Sequence, residues 1–202
     1  MVDTNSKCFV DNTVSMGKNV QLGHYVTIHE HVKIGKNSKI EDGVIIYEDC
    51  EIGKNCIVGA GAILKPQTII GDYSIFGTLS ITEGDVKIGR YTTIHAQCHI
   101  TKGVSIGNNV FIGPKLVTMN TPDITAGEHG TSPNKKIPKM FPLKIEDNVR
   151  IGTNVTIAPN ITISHDSFIA VGSLVTKNIP PFSKVKSSSV IVGKIIGTIQ
   201  DK

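Results

Sequence analysis

The sequence predicts an all-β fold, a parallel solenoid of short strands wound into triangular coils. Two periodicities and one recurring residue predict it. Stepping by six from Met16, the chain places Leu22, Ile28, Ile34, Ile40, Ile46, Ile52, Val58, Leu64, Ile70, Phe76, Thr82, Ile88, Ile94, Ile100, Ile106 and Ile112, and Thr82 alone in that run is polar. The register resumes at Ile145 and continues through Ile151, Ile157, Ile163, Ile169 and Val175. Four residues after each member of the first run, as far as Val110, comes a small or β-branched residue, among them Val26, Ser38, Cys50, Cys56, Ser74, Val86 and Cys98. Gly often follows the aliphatic residue directly, as at Gly17, Gly35, Gly59, Gly77, Gly113 and Gly152. A period of six fits neither a helix nor an ordinary half-buried strand, so it marks an internal repeat.

The elements follow in order. Residues 1–15 precede the register and are expected to cap the open sheet edge. Residues 16–178 form the solenoid. Each six-residue unit is one short strand with two inward residues and then a tight turn, where Gly, Asn and Asp tolerate unusual backbone angles. Three units close one coil. Coils stack about 4.8 Å apart, and each supplies the hydrogen-bonding partner of the next. The register predicts Thr118 and then fails until Ile145. The segment 118–144, rich in Gly, Pro, Asn and Lys, therefore reads as an extruded loop. An irregular excursion of that length in a compact fold is usually functional. Residues 179–202 form a C-terminal extension, in which Ser187–Ile199 is apolar enough for a capping strand or a short helix packed on a neighbour.

Composition agrees with a single domain: 202 residues, 39% apolar, no Trp. The opening, MVDTNSKCFV, has no long apolar run, so neither a signal peptide nor a membrane span is predicted. Cys50, Cys56 and Cys98 fall in the small inward series and read as packed free thiols, and the expected compartment is cytoplasmic. The net charge of +4 is too mild to imply nucleic acid, but it suits a polyanionic small ligand.

The repeat resembles the hexapeptide-repeat acyltransferases over roughly Met16–Val117 and Leu143–Val175. That resemblance implies a left-handed parallel β-helix; spacing alone does not give the hand. "VFIGPKLVTMNT" (Val110–Thr121) is similar to a segment of nucleotide-sugar N-acetyltransferases and puts Asn120 on the family's Asn. "FPLKIEDNVRIGTNVTIAPNITIS" (Phe141–Ser164) is similar to the segment after the loop in galactoside and maltose acetyltransferases, and "GSLVTKNIPPFSKV" (Gly172–Val185) resembles their ending. What the resemblance implies is acetyl-CoA as co-substrate, with no metal. The reaction would be acetyl transfer to an amino group of a nucleotide-linked sugar in surface polysaccharide biosynthesis, with a sugar hydroxyl as the alternative acceptor. It also implies a homotrimer holding coenzyme A in the groove between subunits, at positions matched here by Thr153, Val171, Thr176 and Lys177. Two departures stand out. The catalytic His that the galactoside and maltose enzymes carry early in the loop is absent, and Asp123, or Pro122 with a one-residue slip, takes its place. The family's closing basic segment is replaced by KSSSVI (Lys186–Ile191), leaving Lys184, Lys186 and Lys194 as possible phosphate partners.

Direct attack on a thioester needs a base with a pKa near working pH, which favours His. His95 follows Ile94, is expected to point outward beside Gly113, and ranks first. His99 precedes Ile100 and is expected to point outward beside Val117, at the root of the loop. His129 lies in the loop and could reach a neighbour's cleft, and Asp123 completes the candidates. His24, His29 and His31 lie several coils away, and His165 occupies a turn. Two readings from other classes compete. A γ-class carbonic anhydrase needs three His around zinc, two of them as H-x4-H; His24 and His29 have that spacing but no third His is placed to join them. A non-catalytic scaffold would not need a loop carrying Lys135, Lys136 and Lys139.

Overall fold

A computed structural model describes residues 7–122, 139–186 and, for the backbone, 189–194. His129 and Asp123 lie outside the described residues. The expected solenoid is present: three parallel sheets of nine, eight and ten strands form the faces of a prism with about nine turns, consistent with a left-handed β-helix. The first face runs from Phe9–Val10 through Thr27–Ile28 to Leu174–Val175. The second runs from Ser15–Met16 to Thr162–Ile163, and the third from Gln21–Leu22 to Phe168–Ile169. Pairing advances by 18 residues per coil, as in Thr93↔Phe111. Among the described residues there is no α-helix, so none that could cross a membrane.

The two inward positions of each unit fill the prism. Ile28, Ile40, Ile46, Leu64, Phe76, Ile94, Ile100 and Ile112 are fully buried in one continuous core. Each is worth roughly 1.5–3 kcal/mol on burial. The other inward column alternates Val with Cys, Ser and Thr, and its hydroxyls find local partners. Ser74 Oγ donates to Gly89 O at 2.8 Å and Thr92 Oγ1 to Gly107 O at 2.8 Å. The four cysteines are free, and Cys50, Cys56 and Cys98 are buried. Desolvation pushes the Cys50 thiol up to about 11.

The glycines have a different cause from the one the sequence suggested. The left-handed turn residue is the third after the inward aliphatic and is seldom Gly: Asn19, Tyr25, Asn37, Tyr73, Leu79 and Tyr91 all have φ near 60°. The Gly directly after the aliphatic is needed for close approach between coils. A Cβ at Gly35 would sit 2.5 Å from the Gly53 carbonyl carbon, and one at Gly77 would collide with the His95 carbonyl group.

At the N-terminal end, Phe9–Val10 already pairs with Thr27–Ile28, so coil geometry begins inside the expected cap. Thr118 and Lys144, the expected limits of the loop, belong to the flanking strands Val117–Thr118 and Lys144–Ile145. After Val175 the chain adds Ser183–Lys186 in parallel to Phe168–Ile169, then turns back as Ser189–Lys194, antiparallel. These two strands extend the end of the third face, and the described residues 189–194 take the strand alternative of the two foreseen.

Candidate functional site

The three corners of the prism differ. At the corner between the second and third faces, the residue after the inward aliphatic is Gly17, Gly35, Gly53, Gly71, Gly89 and Gly107 on successive coils before the loop, then Glu146 and Ser164. Between the third and first faces it is mostly Gly as well, broken by Glu41, His95 and Ala170. Between the first and second faces it is never Gly: Asp11, His29, Tyr47, Lys65, Glu83, Thr101 and Met119 occupy it in turn. This corner alone carries a side chain on every coil, and the loop leaves the prism there.

Its side chains form a continuous column. His29 stacks on Tyr47 with centroids 4.8 Å apart, and Lys65 Nζ lies 4.0 Å from the same ring. One coil on, Glu83 Oε1 sits 2.8 Å from His99 Nε2, while Glu83 Oε2 accepts from the Lys102 backbone N–H at 3.4 Å. His99 stands outward on the first face, paired with Val117 as its spacing predicted. Beneath the pair the interior turns polar. Thr82 and Thr118 replace the inward aliphatic, and their hydroxyls bond Thr68 Oγ1 at 2.8 Å and Thr101 Oγ1 at 2.9 Å.

Asn120 closes the root of the loop. It is buried, its side-chain amide donates to Lys102 O at 3.3 Å, and its backbone carbonyl accepts from the Phe141 N–H at 2.6 Å. The two ends of the excursion are thereby clamped together beside Glu83 and His99. Thr176 and Lys177 lie exposed on the same corner at the C-terminal end.

His95 is on the opposite edge of the first face. It projects between Gly77 and Gly113, with its ring edge-on to Phe111 at 5.0 Å, and no carboxylate lies within 4 Å among the described residues. Thr153 and Val171 share this corner and are exposed. The candidate set thus divides into His99, Asn120, Thr176 and Lys177 on one edge, and His95, Thr153 and Val171 on the other. Sequence reasoning missed Glu83. Its signals were the absence of Gly after the aliphatic on every third unit and its position next to Thr82, the polar exception in the aliphatic series.

His24 and His29 fall on different corners. His24 lies 3.6 Å from Asp42, and among the described residues no three His, Cys, Asp or Glu converge as ligands.

Comparison with known families fixes the lineage. The model described as bacterial transferase hexapeptide (six repeats) matches residues 13–48, 31–66, 49–82 and 85–117, and that of the hexapeptide repeat of succinyl-transferase matches 142–177. The chain belongs to the hexapeptide-repeat transferases. A Schizosaccharomyces pombe relative with a provisional acetyltransferase name is 42% identical over 81 residues, 39% of this chain and 36% of that one. The chain thus spans about a third of the length of that curated relative. The fold matches a UDP-N-acetylglucosamine acyltransferase from Campylobacter jejuni (TM-score 0.76, 19% identity, 92% of this chain, 72% of that one). It also matches one from Bacteroides fragilis (TM-score 0.77, 18% identity, 96% and 74%).

Proposed function

We propose that this chain is an acyl-CoA-dependent acyltransferase that moves an acetyl group from acetyl-CoA to the amino group of a nucleotide-linked sugar, as a cytoplasmic homotrimer. The observation that carries the reading is the Glu83–His99 pair, 2.8 Å apart at the clamped root of the loop. A carboxylate on one ring nitrogen orients the imidazole and leaves Nδ1 to work as a base. The acceptor nitrogen attacks the thioester carbonyl and the C–N bond forms. His99 Nδ1 takes the proton from nitrogen, the C–S bond breaks, and the thiolate leaves and is protonated. Lys102, exposed beside the pair, offers a cation to the developing oxyanion. His99 therefore replaces His95 as the leading base.

The faces support the assembly. Outward positions of the first face include Ile45, Ile63, Ile81 and Val117, and those of the third include Ile57, Ile75 and Phe111, while the second presents Lys33, Glu51, Lys87 and Lys144. Two apolar faces meeting at one corner suit a ring in which that corner points to the axis. His95 would then lie near the axis, and His99 at the outer mouth of the cleft between copies.

The test is thiol release from acetyl-CoA with a panel of nucleotide amino sugars and neutral sugars. Turnover on an amino sugar that collapses in His99→Ala and persists in His95→Ala is expected. Turnover unaffected by His99→Ala would overturn the base, and an alkali-labile product would move the acceptor to a hydroxyl. Absence of both turnover and coenzyme A binding would overturn the function.

A further inference from the structure

The two corners at the outer mouth of the proposed cleft carry opposite charge. Before the loop, the first–second corner bears Asp11, Glu30, Glu48, Asp49, Glu83 and Asp85, relieved by Lys65, which is engaged with the Tyr47 ring, and by Lys102. Before the loop, the second–third corner bears Lys18, Lys36, Lys54 and Arg90, relieved by Asp72, which pairs with Lys54 at 3.4 Å; past the loop the signs reverse, with Glu146, Asp147 and Asp166 on this corner and Lys177 on the other. Charges of one sign lined up on successive coils repel one another, so each column is costly in an isolated prism. A closed ring of parallel solenoids removes the conflict. In such a ring the first face of one copy turns toward the third face of the next, so the acidic corner of one meets the basic corner of the other. A pure rotation leaves heights along the axis unchanged, so residues of equal coil height face each other.

Heights follow from the 18-residue register. Arg90 comes seven residues after Glu83 and nine before His99, so it lies within half a coil of both, about 2 Å along the axis. Arg90 is exposed, and no carboxylate lies within 4 Å of it among the described residues. On the same scale Lys36 and Lys54 bracket Glu48 and Asp49.

We propose that the acidic first–second corner of each copy docks against the basic second–third corner of the next, and that Arg90 of the next copy completes the Glu83–His99 site. The guanidinium fork then holds the phosphate groups of the bound nucleotide from across the cleft. This rests on the trimeric acyltransferase reading above. Arg90 is a binding residue, so Arg90→Ala raises KM far more than it lowers kcat.

The deciding experiment co-expresses His99→Ala and Arg90→Ala chains under different tags and isolates the mixed assembly. Each variant alone is expected to be impaired at sub-saturating substrate while eluting like the wild type. The mixture should regain about a quarter of wild-type activity, because only a site drawing His99 from one variant and Arg90 from the other is intact. No recovery in the mixture, or full activity of the Arg90→Ala protein, overturns the proposal and leaves the proposed reaction standing. A second readout needs no catalysis. Lys36→Glu with Lys54→Glu should dissociate the assembly in light scattering, and adding Glu30→Lys with Glu48→Lys in the same chain should restore it. Assembly indifferent to both overturns the corner pairing, whereas full activity of His99→Ala overturns only the base.

Discussion

His99 Nε2 and Glu83 Oε1 are 2.8 Å apart although sixteen residues separate them in the chain. One coil of solenoid, less two residues, brings them together, and the other Glu83 oxygen is held by the Lys102 N–H. If this pair supplies the base, His99→Asn lowers kcat by about 10²–10⁴-fold. Glu83→Gln, which keeps the shape but loses the charge, lowers it less, with KM for acetyl-CoA little changed in both. Steady-state kinetics on purified variants checks this, and a kcat for His99→Asn within twofold of wild type would refute it.

Thr82 is an inward threonine in an aliphatic column, and its hydroxyl accepts from Lys65 N–H at 3.1 Å and bonds Thr68 Oγ1. Thr82→Val keeps the volume and strands that N–H. The expected loss is about 1–2 kcal/mol of stability, read from denaturant melts.

Gly77 faces the backbone of the next coil at His95. Gly77→Ala forces the coils apart at this corner and is expected to cost about 1–3 kcal/mol. Gly43, where an added Cβ meets nothing within 4 Å, has φ +67°. Gly43→Asn should therefore be tolerated, since Asn adopts that conformation at Asn37 and Asn55. Thermal melts of the two variants should separate clearly.

The buried thiols bear on any assay that counts released coenzyme A. Cys50, Cys56 and Cys98 are buried, and desolvation raises all three. A raised thiol pKa leaves little thiolate at pH 8. A thiol reagent at that pH should label only Cys8 in the native protein and all four cysteines after unfolding. Rapid native labelling of Cys50 would contradict the packing.

Ile63 and Ile81 lie outward on the first face. Ile63→Asp with Ile81→Asp should shift the protein to a monomer in sedimentation while the β spectrum is retained, because neither side chain enters the core. An unchanged sedimentation coefficient would place the interface elsewhere.

Much of the fold was legible in the residues. Ile94, Ile100 and Ile106 recur at a spacing no helix supports, and a strand of two inward residues has only one way to bury them, by coiling and stacking. The failure of that spacing after Thr118 marked the loop. The glycine explanation was less complete. A sequence shows that Gly77 lacks a side chain, but not that the next coil's backbone fills the space.

The sequence by itself determined the coil, its period and which side chains point outward, because those depend on local alternation and on a register that any 18-residue step reproduces. Only the tertiary structure decided which outward groups meet. Glu83 and His99 were each visible as polar residues. Their pairing depends on how far a side chain reaches from one coil to the next, and on which corner is left free of glycine. The same stacking that makes the repeat stable puts His95 and His99, four residues apart in the chain, on opposite edges of one face, with a carboxylate beside only His99 among the described residues.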